Sequence, residues 1–429
     1  MITSATWAGK RYAVLGLARS GVATVAALVA SGAEVVAWDA DEGRRGAVSG
    51  VTLADPLEID LTGFDAVVVS PGVPLNRHPI AAKAREAGIA IIGDIELFAQ
   101  ARAELPPHRV VGITGTNGKS TTTALIHHIC KSAGVPTTMG GNIGLPILAQ
   151  DALPEGGVYV LELSSYQIDL TRTLDCDVAL LLNITPDHLD RYDGFESYAA
   201  SKARLFALQT RGHAAIIGIG DEPSASVARQ LSRSGRVEDV HKIAAGLCLD
   251  QSRWPALQGP HNAQNALAAI AACEALGIDR EAIEAGLASF GGLPHRMERV
   301  ATRDGVTFVN DSKATNPTST APALAAFDRI HWIVGGEAKT DDLDACRPGF
   351  PHVVHAYTIG NASDLFASLL GGDMDVTRSG TLAQAVRDAA AGARAGDTVL
   401  LSPACASFDQ FRDYEDRGRQ FRAAVEALA

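Results

Sequence analysis

The sequence predicts an α/β protein built in three parts, each a sheet of mainly parallel strands packed against helices. Three observations carry this. Short apolar runs alternate with helical patterns along most of the chain, a glycine-rich turn joins a strand to a helix at residues 110–124, and 429 residues exceed what one core can fill. Apolar residues make up 47% and charged residues 20% of the chain, with Gly and Ala abundant, which suits close packing of helices on sheets.

The first part reads RYAVLGL, a helix through Val22 to Ala30, then AEVVAWD, DAVVVSPGV and IAIIGD. Strand, helix and strand at this spacing form βαβ units, so a small parallel sheet is expected up to residue 96. GLARSG at residues 16–21 follows the first strand and Asp39 ends the second. The pair resembles a dinucleotide fingerprint, but Ala18 replaces the middle glycine and removes the closest backbone approach to a pyrophosphate. A UDP-type nucleotide, NAD or FAD, and a purely structural turn are all compatible with it. Gly16, Leu17, Ala18 and Asp39 are the candidate contacts, together with Ser70, Pro71 and Gly72 of SPGV, because ligands of open α/β sheets gather at these strand ends. ARAELPPHR, with its proline pair, reads as a linker.

The second part opens with VVGITGTNGKSTTTA. Gly115 and Gly118 let the backbone approach a polyphosphate and aim successive N–H groups at it, and the following helix adds the positive end of its dipole. Lys119 would reach the terminal phosphates, and the Ser120 or Thr121 hydroxyl would stand where a phosphate-bound Mg²⁺ needs oxygen. Thr116, Asn117 and Thr122 complete the candidate ATP loop. The usual GxxxxGK[ST] spacing places glycine at 113, where this chain has Ile113, with Gly112 one position early. Further strands are expected at VYVLELSS, DVALLLNI and AAIIGIG, and a last helix at NAQNALAAIAACEALG. Glu162, late in the first of these strands, is placed to bind a metal that bridges nucleotide phosphates. Asp187 and His188, just past the second, are further ligand types, so two metals are possible at this sheet edge. Lys202, on a helix after that loop, reads on its own as a solvated lysine.

The third part is expected from residue 295, with strands at VTFVND, RIHWIVGG, VVHAYTIG and DTVLLSPA. NDSKATN gathers Asn310, Asp311, Ser312, Lys313, Thr315 and Asn316 after a strand, a density of polar groups that is costly to bury without a ligand. Lys339 follows Gly335 and Gly336 at another strand end, and Ser402 and Ser407 follow the last strand. Strand ends of one sheet meet at one crevice.

A formal net charge of −12 argues against a nucleic-acid surface, since no basic stripe is present. The six cysteines show no CxxC or zinc spacing and read as reduced cytosolic thiols. No apolar run of about 18 residues exists to span a membrane, and the N-terminus carries no apolar signal core.

In this order, GITGTNGKSTTTALI, GGNIGLP, LELSSYQ, NITPDHLDRY, LPHRME, NDSKATNP and SPACASFDQF resemble the Mur ligases of peptidoglycan synthesis, from the first strand almost to the C-terminus. The GTNGKST loop and the HNxxN segment are shared with folylpolyglutamate synthase relatives. GDIELF at 93–98, NDSKATN and SPACASFDQF are narrower and resemble the glutamate-adding members. The resemblance implies an N-terminal Rossmann-like domain at 1–96 for the UDP part of the substrate and a central P-loop ATPase-type domain at 97–294. A C-terminal Rossmann-like domain at 295–429 would take the amino acid. Lys119 and Ser120 would hold ATP phosphates and Mg²⁺, Glu162 and His188 would complete the metal sites, and Asn142 would contact the muramoyl substrate. Lys202 matches the lysine that this family carbamylates into a metal-binding anion, which displaces the solvated reading. Lys119, His188 and Lys202 would then form the catalytic set.

By the same resemblance Asn265, Arg296 and Asp311 would contact adenosine, and Lys313, Thr315, Lys339, Ser407 and Tyr414 would bind glutamate. The missing glycine at 113 is the pattern of this family. Departures from it are Tyr414 for a common phenylalanine, Ala338 for aspartate in GGxxK, GIGDEPS at 218–224 without the usual asparagine, and a shortened stretch at 242–258. The implied protein is a cytoplasmic, monomeric ligase joining glutamate to UDP-MurNAc-L-alanine with ATP and two Mg²⁺ ions. A family member adding L-glutamate or another amino acid, and a nucleotide-binding regulator with a P-loop ATPase switch, are the alternatives.

Overall fold

In the computed structural model the described residues are 1–428 except 188, 237, 238 and 245–249. Three sheets are present. The first comprises β1 (Arg11–Leu15), β2 (Glu34–Trp38), β3 (Thr52–Leu53), β4 (Ala66–Val69) and β5 (Ala90–Ile92), all parallel in the order β3-β2-β1-β4-β5. The second comprises β6 (His108–Thr114), β7 (Thr137–Gly141), β8 (Gly157–Glu162), β9 (Val178–Leu181), β10 (Ala214–Gly218) and β11 (Val240–Ile243), parallel in the order β11-β10-β9-β6-β8-β7. The third comprises β12 (Glu298–Arg303), β13 (Val306–Asn310), β14 (Ile330–Gly335), β15 (Val353–Ile359), β16 (Asp375–Gly380) and β17 (Thr398–Leu401), in the order β12-β13-β17-β14-β15-β16. Only β12 runs antiparallel to its neighbour there. Helices cover both faces, so the central strands β4, β8, β9 and β17 are buried from end to end and read as unbroken apolar runs.

The chain divides into two compact units, Met1–Leu247 with Gln264–Leu287, and Cys248–Ala263 with Ala288–Ala429. The first holds two sheets on one continuous apolar core, which runs from Trp7 and Val14 to Tyr159 and Leu181. The expected linker ARAELPPHR is mostly structured: the helix Asp94–Ala101 and a 3₁₀ turn, Arg102–Glu104, leave only residues 105–107 before β6. The cause is local bonding, since Arg102 donates to His108 Nε2 (3.1 Å) and the Glu104 carboxylate accepts from the Ala5 and Thr6 amides. A further helix, Arg280–Ser289, follows the expected last helix of the central part, which spans Pro260–Ala275. In the second unit, separate apolar clusters lie on the two faces of the third sheet, around Trp332 and Phe366 and around Ile333 and Phe421.

Candidate active site

The candidate phosphate loop is held in one shape by its own bonds. Gly115 (φ +149°) and Gly118 (φ +86°) occupy conformations that L side chains rarely adopt, and a Cβ on Gly118 would lie 2.3 Å from Asn265 Oδ1. The turn between them is tied to the end of β9. The Thr116 amide donates to Asn183 O (2.9 Å), the Asn117 amide to Asn183 Oδ1 (2.8 Å), and the Asn183 side-chain amide returns a bond to Asn117 O (3.1 Å). Thr116 Oγ1 bridges Thr185 and the Tyr198 hydroxyl. Gly118 precedes the helix Lys119–Ser132, whose first turn brings Ser120, Thr121 and Thr122 under the loop. Thr122 Oγ1 donates to Asn265 Oδ1 (3.3 Å), so the predicted Asn265 does reach the loop from a distant helix.

Two lysines converge on one carbonyl. Lys119 Nζ donates to Gly115 O and Thr116 O (2.8 Å each), and Lys202 Nζ also donates to Gly115 O at 3.0 Å. Lys202 is 2% exposed, which corrects its reading as a solvated lysine. Its helix, Phe195–Ala207, presents it to the core and places its ammonium over the Tyr198 ring. Burial, and then repulsion from Lys119, draw its pKa down to about 7 against the opposing pull of Asp187 and Asp169. Lys202 is therefore poised between amine and ammonium near neutral pH.

Glu162 ends β8, in register with Ile113 of β6, and is 2% exposed. Asn142 holds it, donating Nδ2 to Oε1 (3.0 Å) and its backbone amide to the Glu162 carbonyl (2.8 Å). The other carboxylate oxygen, Oε2, is buried without a hydrogen-bond partner. A buried anionic oxygen left bare is expensive unless a cation meets it, so this residue fits a metal ligand. His188 lies outside the described residues. Among the described ones no cluster of three or more His, Cys, Asp or Glu forms a ready-made metal site.

At the first sheet, Gly16 (φ +94°) approaches Ser70, whose hydroxyl donates to Gly16 O at 2.8 Å, so the GLARSG and SPGV loops touch. The Asp39 carboxylate accepts from the Leu17 amide (2.7 Å) and the Asp41 amide (2.9 Å), with Arg44 at 3.6 Å. Burial pushes its pKa up, but these donors outweigh it and hold the carboxyl below the usual range. Asp39 thus clamps the loop that carries Leu17 and Ala18, while Pro71 and Gly72 follow β4.

The second unit carries the other predicted residues. Burial raises the Asp311 pKa to about 7 although Ser402 Oγ donates to it (2.7 Å) and the Met297 amide bonds its other oxygen (3.2 Å). Arg296 is in this unit too, so the expected adenosine contacts are divided between the two units. Lys339 Nζ reaches Thr315 Oγ1 at 3.4 Å, and Lys313 Nζ lies over the Tyr414 ring, which brings four of the five predicted glutamate residues into pairs. Ser407 is buried on the loop after β17. The polar density of NDSKATN is partly satisfied by the protein itself. Asn310 Nδ2 bonds Glu298 Oε2 (3.0 Å) and Gly418 O (3.1 Å), and Ser312 is held by Arg417, while Lys313, Thr315 and Asn316 are the more exposed members of the segment.

Arg417 was not anticipated. It is fully buried on the last helix, Tyr414–Glu426, and its guanidinium binds Ser312 Oγ and O, Cys405 O and Ala406 O, joining the NDSKATN and SPACAS loops. An arginine in a C-terminal helix carries no local mark of such a role. The only available signal is that it lies shortly after SPACASFDQF, on the helix that follows.

Residues 113–246 match the family described as the Mur ligase middle domain, and residues 295–405 match the Mur ligase glutamate ligase domain. A Novosphingobium aromaticivorans protein named UDP-N-acetylmuramoylalanine–D-glutamate ligase is 65% identical over 100% of this chain and 97% of its own length. A Zymomonas mobilis protein of the same name is 57% identical over 100% of both chains. In fold, the chain is similar to UDP-N-acetylmuramate–alanine ligase from Thermotoga maritima (TM-score 0.60, 16% identity, covering 97% of this chain and 99% of that one). It is also similar to UDP-N-acetylmuramoylalanyl-D-glutamyl-2,6-diaminopimelate–D-alanyl-D-alanyl ligase from Acinetobacter baumannii (TM-score 0.57, 18% identity, covering 99% and 92%).

Proposed function

Since this chain belongs to the Mur ligase family, we propose that it adds D-glutamate to UDP-N-acetylmuramoyl-L-alanine with ATP, a step of peptidoglycan precursor synthesis. The observation that carries this reading is the pair Lys119 and Lys202 on Gly115 O, beside a glycine loop already held open. Two charged amines on one carbonyl repel each other, which favours phosphate as the partner of Lys119 and the uncharged form of Lys202.

In the proposed reaction the substrate carboxylate attacks the γ-phosphate, giving an acyl phosphate and ADP. The glutamate amine then attacks the acyl carbon, and phosphate leaves from a tetrahedral intermediate. Lys119 exchanges its two carbonyl partners for phosphate oxygens and stabilises the charge that builds up there. Burial eases the loss of a proton from the Lys202 ammonium, the uncharged amine is the form that can react with CO₂, and the carbamate, formed with release of a proton, would replace a buried cation by an anion. Mg²⁺, two ions in this reading, would be held by Ser120, Glu162, His188 and carbamylated Lys202, and would supply further charge neutralisation. Asn142 fixes the Glu162 carboxylate by one oxygen and leaves the other for the ion.

Gly16, Leu17, Ala18, Asp39, Ser70, Pro71, Gly72 and Asn142 would take the sugar nucleotide. Gly115 to Thr122, Asn265, Arg296 and Asp311 would take ATP, and Lys313, Thr315, Lys339, Ser407 and Tyr414 the glutamate. The domain limits 1–96, 97–294 and 295–429, a monomeric state and a cytoplasmic location belong to the same proposal. Among the described residues no helix is long and apolar enough to cross a membrane.

The test is phosphate release and product formation with UDP-MurNAc-L-alanine, ATP and each of D-glutamate, L-glutamate and other amino acids. Turnover dependent on the sugar nucleotide and on D-glutamate is expected. ATP hydrolysis indifferent to both co-substrates would favour the regulator, and turnover with a different amino acid would reassign the specificity.

A further inference from the structure

The DHLDRY segment contains an arginine that the reaction outlined above leaves without a task. Arg191 closes a short 3₁₀ turn, Leu189–Arg191, and its guanidinium faces the loop after β4. It donates to three successive carbonyls there: Nη2 to Val73 O at 2.8 Å and to Pro71 O at 3.4 Å, and Nη1 to Gly72 O at 3.3 Å. Its other face lies 4.2 Å above the Tyr166 ring. Two neighbouring contacts fasten the same loop, Asn76 Nδ2 to Asp190 O at 3.0 Å and Arg77 to the Asp190 carboxylate at 3.7 Å.

The grip continues toward the catalytic helix. Tyr166 stacks on Tyr192 with 5.9 Å between ring centroids. The Tyr192 hydroxyl donates to Asp169 Oδ2 (2.8 Å) and meets Ser201 Oγ (3.3 Å), one residue before Lys202. Pro71, Val73, Tyr166, Asp169, Arg191 and Tyr192 line a cleft of about 100 Å³ at this junction.

We infer that Arg191 is a positioning residue for the sugar-nucleotide substrate, shaping the SPGV loop from the side of the catalytic segment. This rests on the reading that residues 70–72 contact that substrate. Three carbonyl dipoles turned toward one point repel one another unless a cation sits among them, and a planar guanidinium stacked on a ring can meet all three at once. The turn is closed by its own backbone bond, from the Val73 amide to Ser70 O (3.0 Å), and Arg191 is the side chain that gathers the three outward carbonyls. Removing the cation should let the loop relax while leaving the two sheets intact.

The test measures steady-state kinetics of Arg191→Ala and Arg191→Lys, with hydrogen exchange of residues 70–77 in the full-length protein. The expected result for Arg191→Ala is a tenfold or greater rise in KM for UDP-MurNAc-L-alanine, changes under threefold in KM for ATP and glutamate, and faster exchange confined to the loop. Arg191→Lys should recover only part of the KM, because an ammonium cannot stack and reach three carbonyls together. An unchanged KM for the sugar nucleotide, an equal rise in all three KM values, or loop exchange like the parent's would overturn the inference. Wild-type turnover in the same assay judges the ligase reading separately. Were that absent, the exchange result alone would decide whether Arg191 holds the loop.

Discussion

Replacing Arg417 by methionine keeps most of the side-chain volume and removes every donor from a fully buried site. The lost bonds are Nε to Ser312 Oγ (3.0 Å), Nη2 to Ser312 O (2.8 Å) and Cys405 O (3.0 Å), and Nη1 to Ala406 O (3.2 Å). Hydrogen bonds from a charged donor contribute about 1.5–3 kcal/mol each, and a buried carbonyl left bare costs about 1–3 kcal/mol. Against this stands the desolvation of the guanidinium, which pulls its pKa down to about 10 and is relieved by the substitution. With no opposite charge stranded, the net effect of the bare acceptors against the relieved desolvation is a loss of about 2–4 kcal/mol.

The stranded carbonyls belong to the loops that bear Lys313 and Ser407, so the functional loss should fall on glutamate. KM for D-glutamate should rise more than tenfold and KM for UDP-MurNAc-L-alanine less than threefold, by phosphate release, with a matching drop in stability by urea unfolding. Arg417→Lys should lie between, since one ammonium cannot reach all four acceptors. A variant with unchanged KM for glutamate and stability within about 1 kcal/mol of the parent would refute the reasoning, because the bonds would then contribute less than an ordinary neutral pair.

Gly118→Ala should weaken ATP binding at least tenfold by calorimetry. The left-handed backbone costs about 1–2 kcal/mol for alanine and the new Cβ, 2.3 Å from Asn265 Oδ1, displaces that amide; an unaltered Kd would count against a preformed loop. Lys202→Ala should be inactive yet partly rescued by short carboxylates, and absence of rescue at every concentration would argue against a carbamate. Asp311 binds a proton more tightly in the folded state (pKa about 7) than an ordinary aspartate at 3.8, so it makes stability fall as pH rises from about 4 to 7 and adds no slope above that. Asp311→Asn should therefore gain stability relative to the parent across this window, by up to a few kcal/mol in urea unfolding at pH 4.5 and 7.5. A difference independent of pH would refute the assignment.

How far the fold can be read from sequence follows from burial. Runs such as DAVVVS, VYVLEL and DVALLL lie between two helical layers, and their side chains are apolar on both faces, so they are legible. The strands absent from the sequence reading, β3, β7, β11, β12 and β16, all stand at sheet edges. With one neighbour and partial exposure, their residues mix polar and apolar types, as in ERVATR and DVTRSG, and lose the pattern. ARAELPPHR reads as a linker because of its proline pair, yet it holds the end of the helix Asp94–Ala101 and the 3₁₀ turn Arg102–Glu104, since the prolines break only the last few residues before β6.

The chemistry divides along a similar line. The shape of the candidate phosphate loop was legible because it is written in consecutive residues: glycines at positions needing positive φ, a lysine, and hydroxyls opening a helix. Sequence by itself thus pointed to a candidate nucleotide polyphosphate site and its lysine, and, through the resemblance of seven ordered motifs, to the family the chain joins. Only the tertiary structure decided that Lys202 is buried against Gly115 O, that Asn142 fixes Glu162 with one oxygen left bare, and that Arg191 and Arg417 gather carbonyls from loops far away in the chain. The physical reason is that charge and hydrogen-bonding capacity belong to a residue type, whereas desolvation and the identity of the partner belong to a place in the fold, which no local pattern specifies.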